Sequence, residues 1–142
     1  MSRIRLIIAG SRKWPWPNYL KQAITFYLGN YQPHEIEIIC GEAAGPDSWG
    51  REWAEERGIR VTSFPADWDQ YGNGAGYLRN KEMAEYGTHL LAFWNGESKG
   101  TQHMVNLAVE YGLKIRVLNL LIIKASMEPV SCQTVKVQQT TL

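Results

Sequence analysis

Residues 4–12, Ile-Arg-Leu-Ile-Ile-Ala-Gly-Ser-Arg, are the stretch that decides the fold. The run up to Ala9 is almost entirely apolar, which is typical of a β-strand that is covered on both faces in a parallel sheet. A glycine and a hydroxyl residue follow the strand directly. Turns of this kind in α/β proteins present backbone N–H groups to an anion, so Gly10, Ser11 and Arg12 are candidate phosphate ligands.

Strands and helices are predicted to alternate along the rest of the chain. Apolar runs indicate further strands near residues 36–40, 59–64, 89–94 and 115–120, with helical spacing between them. Residues 65–76 show little periodicity and are expected to form an irregular loop. The predicted fold class is therefore α/β, a single Rossmann-like, doubly wound parallel sheet of about five strands flanked by helices. Ligands bind such sheets at the carboxyl ends of the strands.

Length, composition and charge limit the classes of function that this chain can have. A length of 142 residues predicts one nucleotide-binding domain over residues 1–123 and a polar C-terminal tail over residues 124–142. The alternative is that four residues of that tail form an edge strand or a subunit contact, namely Val130, Cys132, Val135 and Val137. The net charge of +1 argues against nucleic acid as a partner, and no apolar run approaches the roughly 20 residues that span a bilayer. The sequence leads straight into its first strand without a signal peptide, so the cytoplasm is the expected location.

A turn of small residues follows the second predicted strand. Gly41 and Gly45 would let the backbone approach a ligand closely, and Asp47 comes at the start of a predicted helix. Asp47 either caps that helix or accepts a hydrogen bond from a ribose hydroxyl. After the third strand, Asp67 is a candidate carboxylate and Trp68 a candidate ring for stacking on a base. The ordinary interpretations are a turn-forming aspartate and a core tryptophan.

The helix after the long loop carries three candidate ligand residues. Arg79 and Met83 are four positions apart and share one face, and Asn80 lies beside Arg79 in the sequence. A cation next to an apolar contact suits a nucleotide. The alternative for Arg79 is an ion pair with Glu82 or with Glu85.

A second glycine–hydroxyl turn, Gly100-Thr101, precedes the last predicted helix of the domain. Gly96 belongs to the same loop, and a phosphate there could bind backbone N–H groups and the Thr101 hydroxyl. The three histidines share no metal-ligand spacing, so no metal is expected. No other cofactor is required by these motifs.

Five motifs in a fixed order resemble the YspA-related (cpYpsA-related) branch of the SLOG superfamily. They are Ile8-Ala9-Gly10-Ser11-Arg12, Gly41-x-Ala43-x-Gly45-x-Asp47, Pro65-Ala66-Asp67-Trp68, Ala75-Gly76-x-x-Arg79-Asn80-x-x-Met83 and Gly100-Thr101-x-x-Met104. The resemblance implies a Rossmann-like domain that binds a nucleotide or a nucleotide-derived small molecule, as a ligand-binding, sensing or sequestering domain. The resemblance also implies a homo-oligomer, because these relatives pair their subunits. The high content of aromatic residues in this chain favours the same expectation.

The lonely guy phosphoribohydrolases are more distant relatives, and they raise the question of catalysis. Their motif is similar to four residues of this chain, Arg79, Met83, Gly100 and Thr101. The glutamate of that motif is replaced here by His103, although the cleavage of an N-glycosidic bond develops a positive charge that a carboxylate would stabilise. Whether the protein is an enzyme therefore stays open. The alternative function is a phosphoribohydrolase-like hydrolase that cleaves an N-glycosidic or a phosphate bond, with Asp67 and His103 as its catalytic candidates.

Overall fold

The sheet has the predicted α/β architecture. A computed structural model describes residues 3–41 and 45–127. The strands in these residues are β1 (Ile4–Gly10), β2 (Ile36–Cys40), β3 (Arg60–Ser63), β4 (His89–Trp94) and β5 (Lys114–Asn119). They form one sheet in the spatial order β3-β2-β1-β4-β5, and every neighbouring pair is parallel. The Rossmann-like, doubly wound arrangement is thereby confirmed.

Helices connect the strands, and one more helix follows β5. They are α1 (Pro17–Leu28), α2 (Pro46–Glu56), α3 (Trp68–Tyr71), α4 (Ala75–Tyr86), α5 (Lys99–Glu110) and α6 (Leu120–Met127). Helices α1 and α2 both begin with proline, whose fixed φ suits the first turn and whose missing N–H would have no partner there. Helix α5 begins after Ser98, whose side chain caps it.

The core consists of two apolar layers, one on each face of the sheet. Leu6 and Ile8 of β1 belong to a buried cluster with residues of α1 and α2. Ile7 and Ala9 point to the other face and belong to a cluster with residues of α4 and α5. Side chains of a strand alternate between the two faces, so a strand covered on both sides needs an unbroken apolar run. This explains the sequence of β1.

Two segments differ from the sequence-based expectation. Residues 65–76 are not irregular throughout, because they contain α3 and a 3-10 turn over Gly72–Gly74. Such short elements show no helical periodicity in a sequence. Helix α6 was also missed, and it crosses the predicted domain border after residue 123. The four apolar tail residues from Val130 to Val137 lie outside the described part of the chain. No helix in the described part is long and apolar enough to cross a membrane.

The order of the strands determines where a ligand can bind. The chain moves outward from β1 through β2 to β3, and then returns to β4 on the opposite side of β1. The connections after β1 and β4 therefore lie on opposite faces of the sheet and leave a crevice between the two strand ends. This topological switch point is the usual ligand-binding position in open α/β sheets.

Candidate ligand-binding cavity

A cavity of about 540 Å³ opens at the switch point. Ten residues proposed from the sequence line it: Gly10, Ser11, Arg12, Asp47, Trp68, Arg79, Asn80, Met83, Gly100 and Thr101. Its volume falls within the range of about 300–1,000 Å³ that is typical of small-molecule sites. The fold therefore brings most of the candidate residues to one place, although they come from five different segments of the chain.

Five other candidates lie outside the lining of this cavity: Gly41, Gly45, Asp67, Gly96 and His103. Gly45 and Gly96 have φ values of +80° and +89°, a backbone conformation that favours glycine, so each is needed for its turn. The Asp67 carboxylate caps α3 by accepting a hydrogen bond of 3.1 Å from the Gln70 N–H. The capping contact matches the interpretation of Asp67 as a turn-forming residue.

The Gly10-Ser11 turn joins the ends of β1 and β4. The Ser11 N–H donates to the Phe93 carbonyl at 2.9 Å, and the Ser11 hydroxyl donates to Asn95 Oδ1 at 3.0 Å. Ser11 is only 1% exposed, and α1 begins later in the chain, at Pro17. Both donors of Ser11 are therefore used within the protein. The remaining polar contribution of this turn to the cavity comes from its exposed neighbours Arg12 and Lys13.

The Gly100-Thr101 turn is different, because it forms the first turn of a long helix. Ser98 Oγ accepts hydrogen bonds from the Thr101 N–H at 3.3 Å and from the Thr101 hydroxyl at 3.1 Å. In the part of the chain that the structure describes, the N–H groups of Lys99 and Gly100 have no hydrogen-bond partner. The first N–H groups of a helix lack intrahelical partners and carry its positive dipole end. These two N–H groups can therefore hold an anion in the cavity.

Asn95 holds the two turns together, and sequence reasoning missed it. Its Oδ1 accepts from the Ser11 hydroxyl and from the N–H groups of Glu97 and Ser98, the latter two at 2.9 Å. Its own N–H donates to Ser11 Oγ at 3.0 Å. An asparagine directly after a strand and before a glycine is typical of such a side-chain turn, and this was the available signal.

Arg79 is oriented by the end of β2. Its Nη1 donates to the Gly41 carbonyl, and a Cβ added to Gly41 would lie 2.5 Å from that nitrogen, so a side chain at position 41 would displace the guanidinium from this place. The Gly41 N–H donates to Asp47 Oδ2 at 3.0 Å. Among the described residues Arg79 forms no ion pair with Glu82 or with Glu85. The arginine is thus positioned by a backbone carbonyl and keeps its charge at the cavity wall.

Asp47 is the buried carboxylate of the cavity. It is 6% exposed, lies in the first turn of α2 and lines the cavity. The N-cap of α2 is Gly45, so Asp47 is not the N-cap residue, which was one of its two sequence-based interpretations. Glu97 also lines the cavity but is exposed.

His103 lies behind the cavity wall. Its Nδ1 is 3.2 Å from Asn80 Nδ2, and its ring contacts the Tyr77 ring at a centroid distance of 4.4 Å. Tyr77 and Asn80 line the cavity, whereas His103 does not. Burial lowers the pKa of His103 below its ordinary value of 6.5, so the imidazole is neutral near pH 7.

Aromatic residues divide between the core and the cavity. Trp14 and Trp53 are buried in the core, as the ordinary interpretation expects. Trp68 is 54% exposed and Tyr77 is 50% exposed, and both line the cavity. Tyr77 was not a candidate from the sequence, because an exposed tyrosine on a helix gives no functional signal. Within the described residues, no group of three or more His, Cys, Asp or Glu side chains could hold a metal ion.

Fold and cavity together define a Rossmann-like α/β domain with a cavity at its switch point. A family model described as "YspA, cpYpsA-related SLOG family" matches residues 4–71. The chain is 34% identical over 117 residues to "Gene 61 protein" of Mycobacterium phage D29. The aligned region covers 78% of this chain and 93% of that protein. The chain belongs to the YspA, cpYpsA-related SLOG family. No solved structure matches it.

Proposed function

We propose that this protein binds a nucleotide or a nucleotide-derived small molecule in the cavity, as a ligand-binding, sensing or sequestering domain. The observation that carries the proposal is the N-terminus of α5, where the Lys99 and Gly100 N–H groups lack partners among the described residues. Arg12, Lys13 and Arg79 add positive charge to the same cavity. Membership in the SLOG family supports a nucleotide-related ligand.

The remaining walls suit the sugar and the base. Met83 and Met104 supply apolar surface, and the half-exposed rings of Trp68 and Tyr77 supply faces on which a base can stack. The buried Asp47 carboxylate is an acceptor for a ribose hydroxyl. A phosphate on α5 and a base near α4 would together use the polar and the apolar parts of the cavity.

Lys99→Pro tests the backbone part of this proposal. Proline at the first helical position removes the N–H without disturbing the helix, and Ser98 has the extended conformation (φ −61°, ψ 118°) that a residue before proline requires. We expect nucleotide affinity to fall about tenfold or more, because a hydrogen bond to a charged acceptor contributes roughly 1.5–3 kcal/mol. Isothermal titration of the variant measures this change.

Lys99→Ala is the matched control, because it removes the same side-chain charge and keeps the N–H. The difference between the two variants isolates the backbone donor. Equal affinities for the proline and the alanine variants would show that the Lys99 N–H does not bind the phosphate.

A second candidate function, hydrolysis of an N-glycosidic or phosphate bond, is favoured by the position of Asp47. This carboxylate is buried in the cavity wall, whereas Asp67 caps α3 outside it. If the protein is a hydrolase, we expect Asp47→Asn to abolish the release of free base or phosphate. Asp67→Asn should leave turnover unchanged, because asparagine caps helices as well as aspartate.

Chromatography after incubation with nucleoside monophosphates, dinucleotides and cyclic nucleotides measures that release. Ligand stabilisation without any product would favour the binding function. Loss of turnover in Asp67→Asn would restore Asp67 as the catalytic candidate. The homo-oligomer, the cytoplasmic location and the lack of a nucleic-acid partner remain part of the proposal.

A further inference from the structure

The side chain of Asn80 lies between Arg79 and His103, and its orientation follows from the chemistry of its neighbours. Arginine Nε can only donate a hydrogen bond. The atom of Asn80 that lies 3.0 Å from Arg79 Nε is therefore the amide oxygen, Oδ1. The amide nitrogen, Nδ2, must then face His103 Nδ1 at 3.2 Å.

This orientation decides where His103 carries its proton. Because Asn80 Nδ2 donates, His103 Nδ1 must accept through its lone pair, and the proton of the neutral ring is on Nε2. Asn80 is 6% exposed, so water does not readily replace these partners. The same Nδ2 lies 3.5 Å from the Gly100 carbonyl in the first turn of α5. One amide thus links Arg79, His103 and the helix terminus.

We propose that Asn80 is a positioning residue that fixes His103 as the neutral Nε2–H tautomer and orients the Arg79 guanidinium toward the ligand. The tautomer follows from hydrogen bonding alone, whereas the effect on the ligand rests on the proposed nucleotide-binding function. His103 thereby acts on the cavity through Asn80 and does not act as an acid that touches the ligand.

Protonation of His103 is incompatible with this arrangement. A protonated Nδ1 would place an N–H against the Asn80 amide nitrogen, and rotating the amide would place that nitrogen against Arg79 Nε, which is also a donor. Among the described residues, Tyr77 of α4 contacts the ring, Arg79 of α4 lies on the other side of the Asn80 amide, and Lys99 precedes His103 by one turn of α5. The burial that lowers the pKa of His103 acts in the same direction. Nucleotide affinity should therefore be full at neutral pH and fall as the pH drops through the pKa of His103.

Imidazole ¹⁵N NMR of the full chain over a pH titration tests the tautomer directly, with His103→Gln to identify the signals. In the wild type we expect the proton of the neutral ring on Nε2. In Asn80→Asp the carboxylate can accept both from Arg79 Nε and from a protonated Nδ1, so the pKa of His103 should rise above its wild-type value.

Asn106→Asp is the matched control, because it adds the same charge at an exposed position of α5, the helix that carries His103. A proton on Nδ1 in the wild type, or equal rises of the His103 pKa in Asn80→Asp and Asn106→Asp, would overturn the proposal.

Isothermal titration with adenosine and guanosine monophosphate measures the effect on the ligand. The affinity of the wild type should fall at acid pH, and in Asn80→Asp this fall should begin at a higher pH. An affinity that does not depend on pH through this range would overturn the link to Arg79. If no nucleotide binds at any pH while the Nε2–H tautomer is observed, the proposed function fails and the tautomer stands.

Discussion

Arg79→Ala is expected to weaken nucleotide binding by about 10- to 150-fold. A charge-assisted hydrogen bond contributes roughly 1.5–3 kcal/mol, and each 1.4 kcal/mol corresponds to about a tenfold change in affinity. The guanidinium is well prepared for such a contact, because Gly41 and Asn80 already hold it at the cavity wall. Isothermal titration with nucleoside monophosphates measures the change.

Two further variants separate the specific contact of Arg79 from a general effect of positive charge. Lys81→Ala removes an exposed cation from the same helix and should leave the affinity unchanged. Arg79→Lys keeps the charge and loses the fork of donors, so its affinity should lie between those of the wild type and Arg79→Ala. Equal effects of Arg79→Ala and Lys81→Ala would contradict a specific role for Arg79.

Gly10→Ala is expected to destabilise the fold by about 3 kcal/mol, the upper end of the usual range for overpacking. A Cβ at Gly10 would lie 2.6 Å from the Phe93 carbonyl oxygen and 2.7 Å from Pro46 Cγ. Neither a strand carbonyl nor a proline ring can rotate away, so the ends of β1 and β4 would have to separate. Denaturant unfolding, read as the free energy of unfolding, measures the loss.

Gly100→Ala is the natural comparison for Gly10→Ala, because both glycines precede a hydroxyl residue in the sequence. A Cβ at Gly100 meets no atom within 4 Å, and the residue is helical. Alanine should therefore raise the free energy of unfolding by about 0.5–1 kcal/mol. Destabilisation of similar size in both variants would show that the two turns are not packed as described.

The sequence was sufficient to predict the sheet and the edge at which the cavity lies. The apolar run of β1 required a covered strand, and alternating helices required parallel strands, so the candidates had to meet at the carboxyl edge. Arg79 and Met83 were grouped correctly because four residues make about one turn of a helix. Both line the cavity.

Hydrogen-bond partners could not be predicted in the same way. Ser11 and Asn95 are 84 positions apart, and no local pattern indicates that they use each other's donors. The two glycine–hydroxyl turns look equivalent in the sequence, yet only Gly100 belongs to the first turn of a helix. The position of Asp67 outside the cavity depends on α3, an element too short to leave a periodic signal.

An amide ¹H–¹⁵N NMR titration with nucleoside mono- and diphosphates, dinucleotides and cyclic nucleotides tests the central claim most directly. We expect at least one of these ligands to bind saturably, with its largest shifts at the amides of Lys99 and Gly100 and at the Arg79 side chain. Saturable binding without shifts at these two amides, or no binding by any of the ligands, would contradict the account.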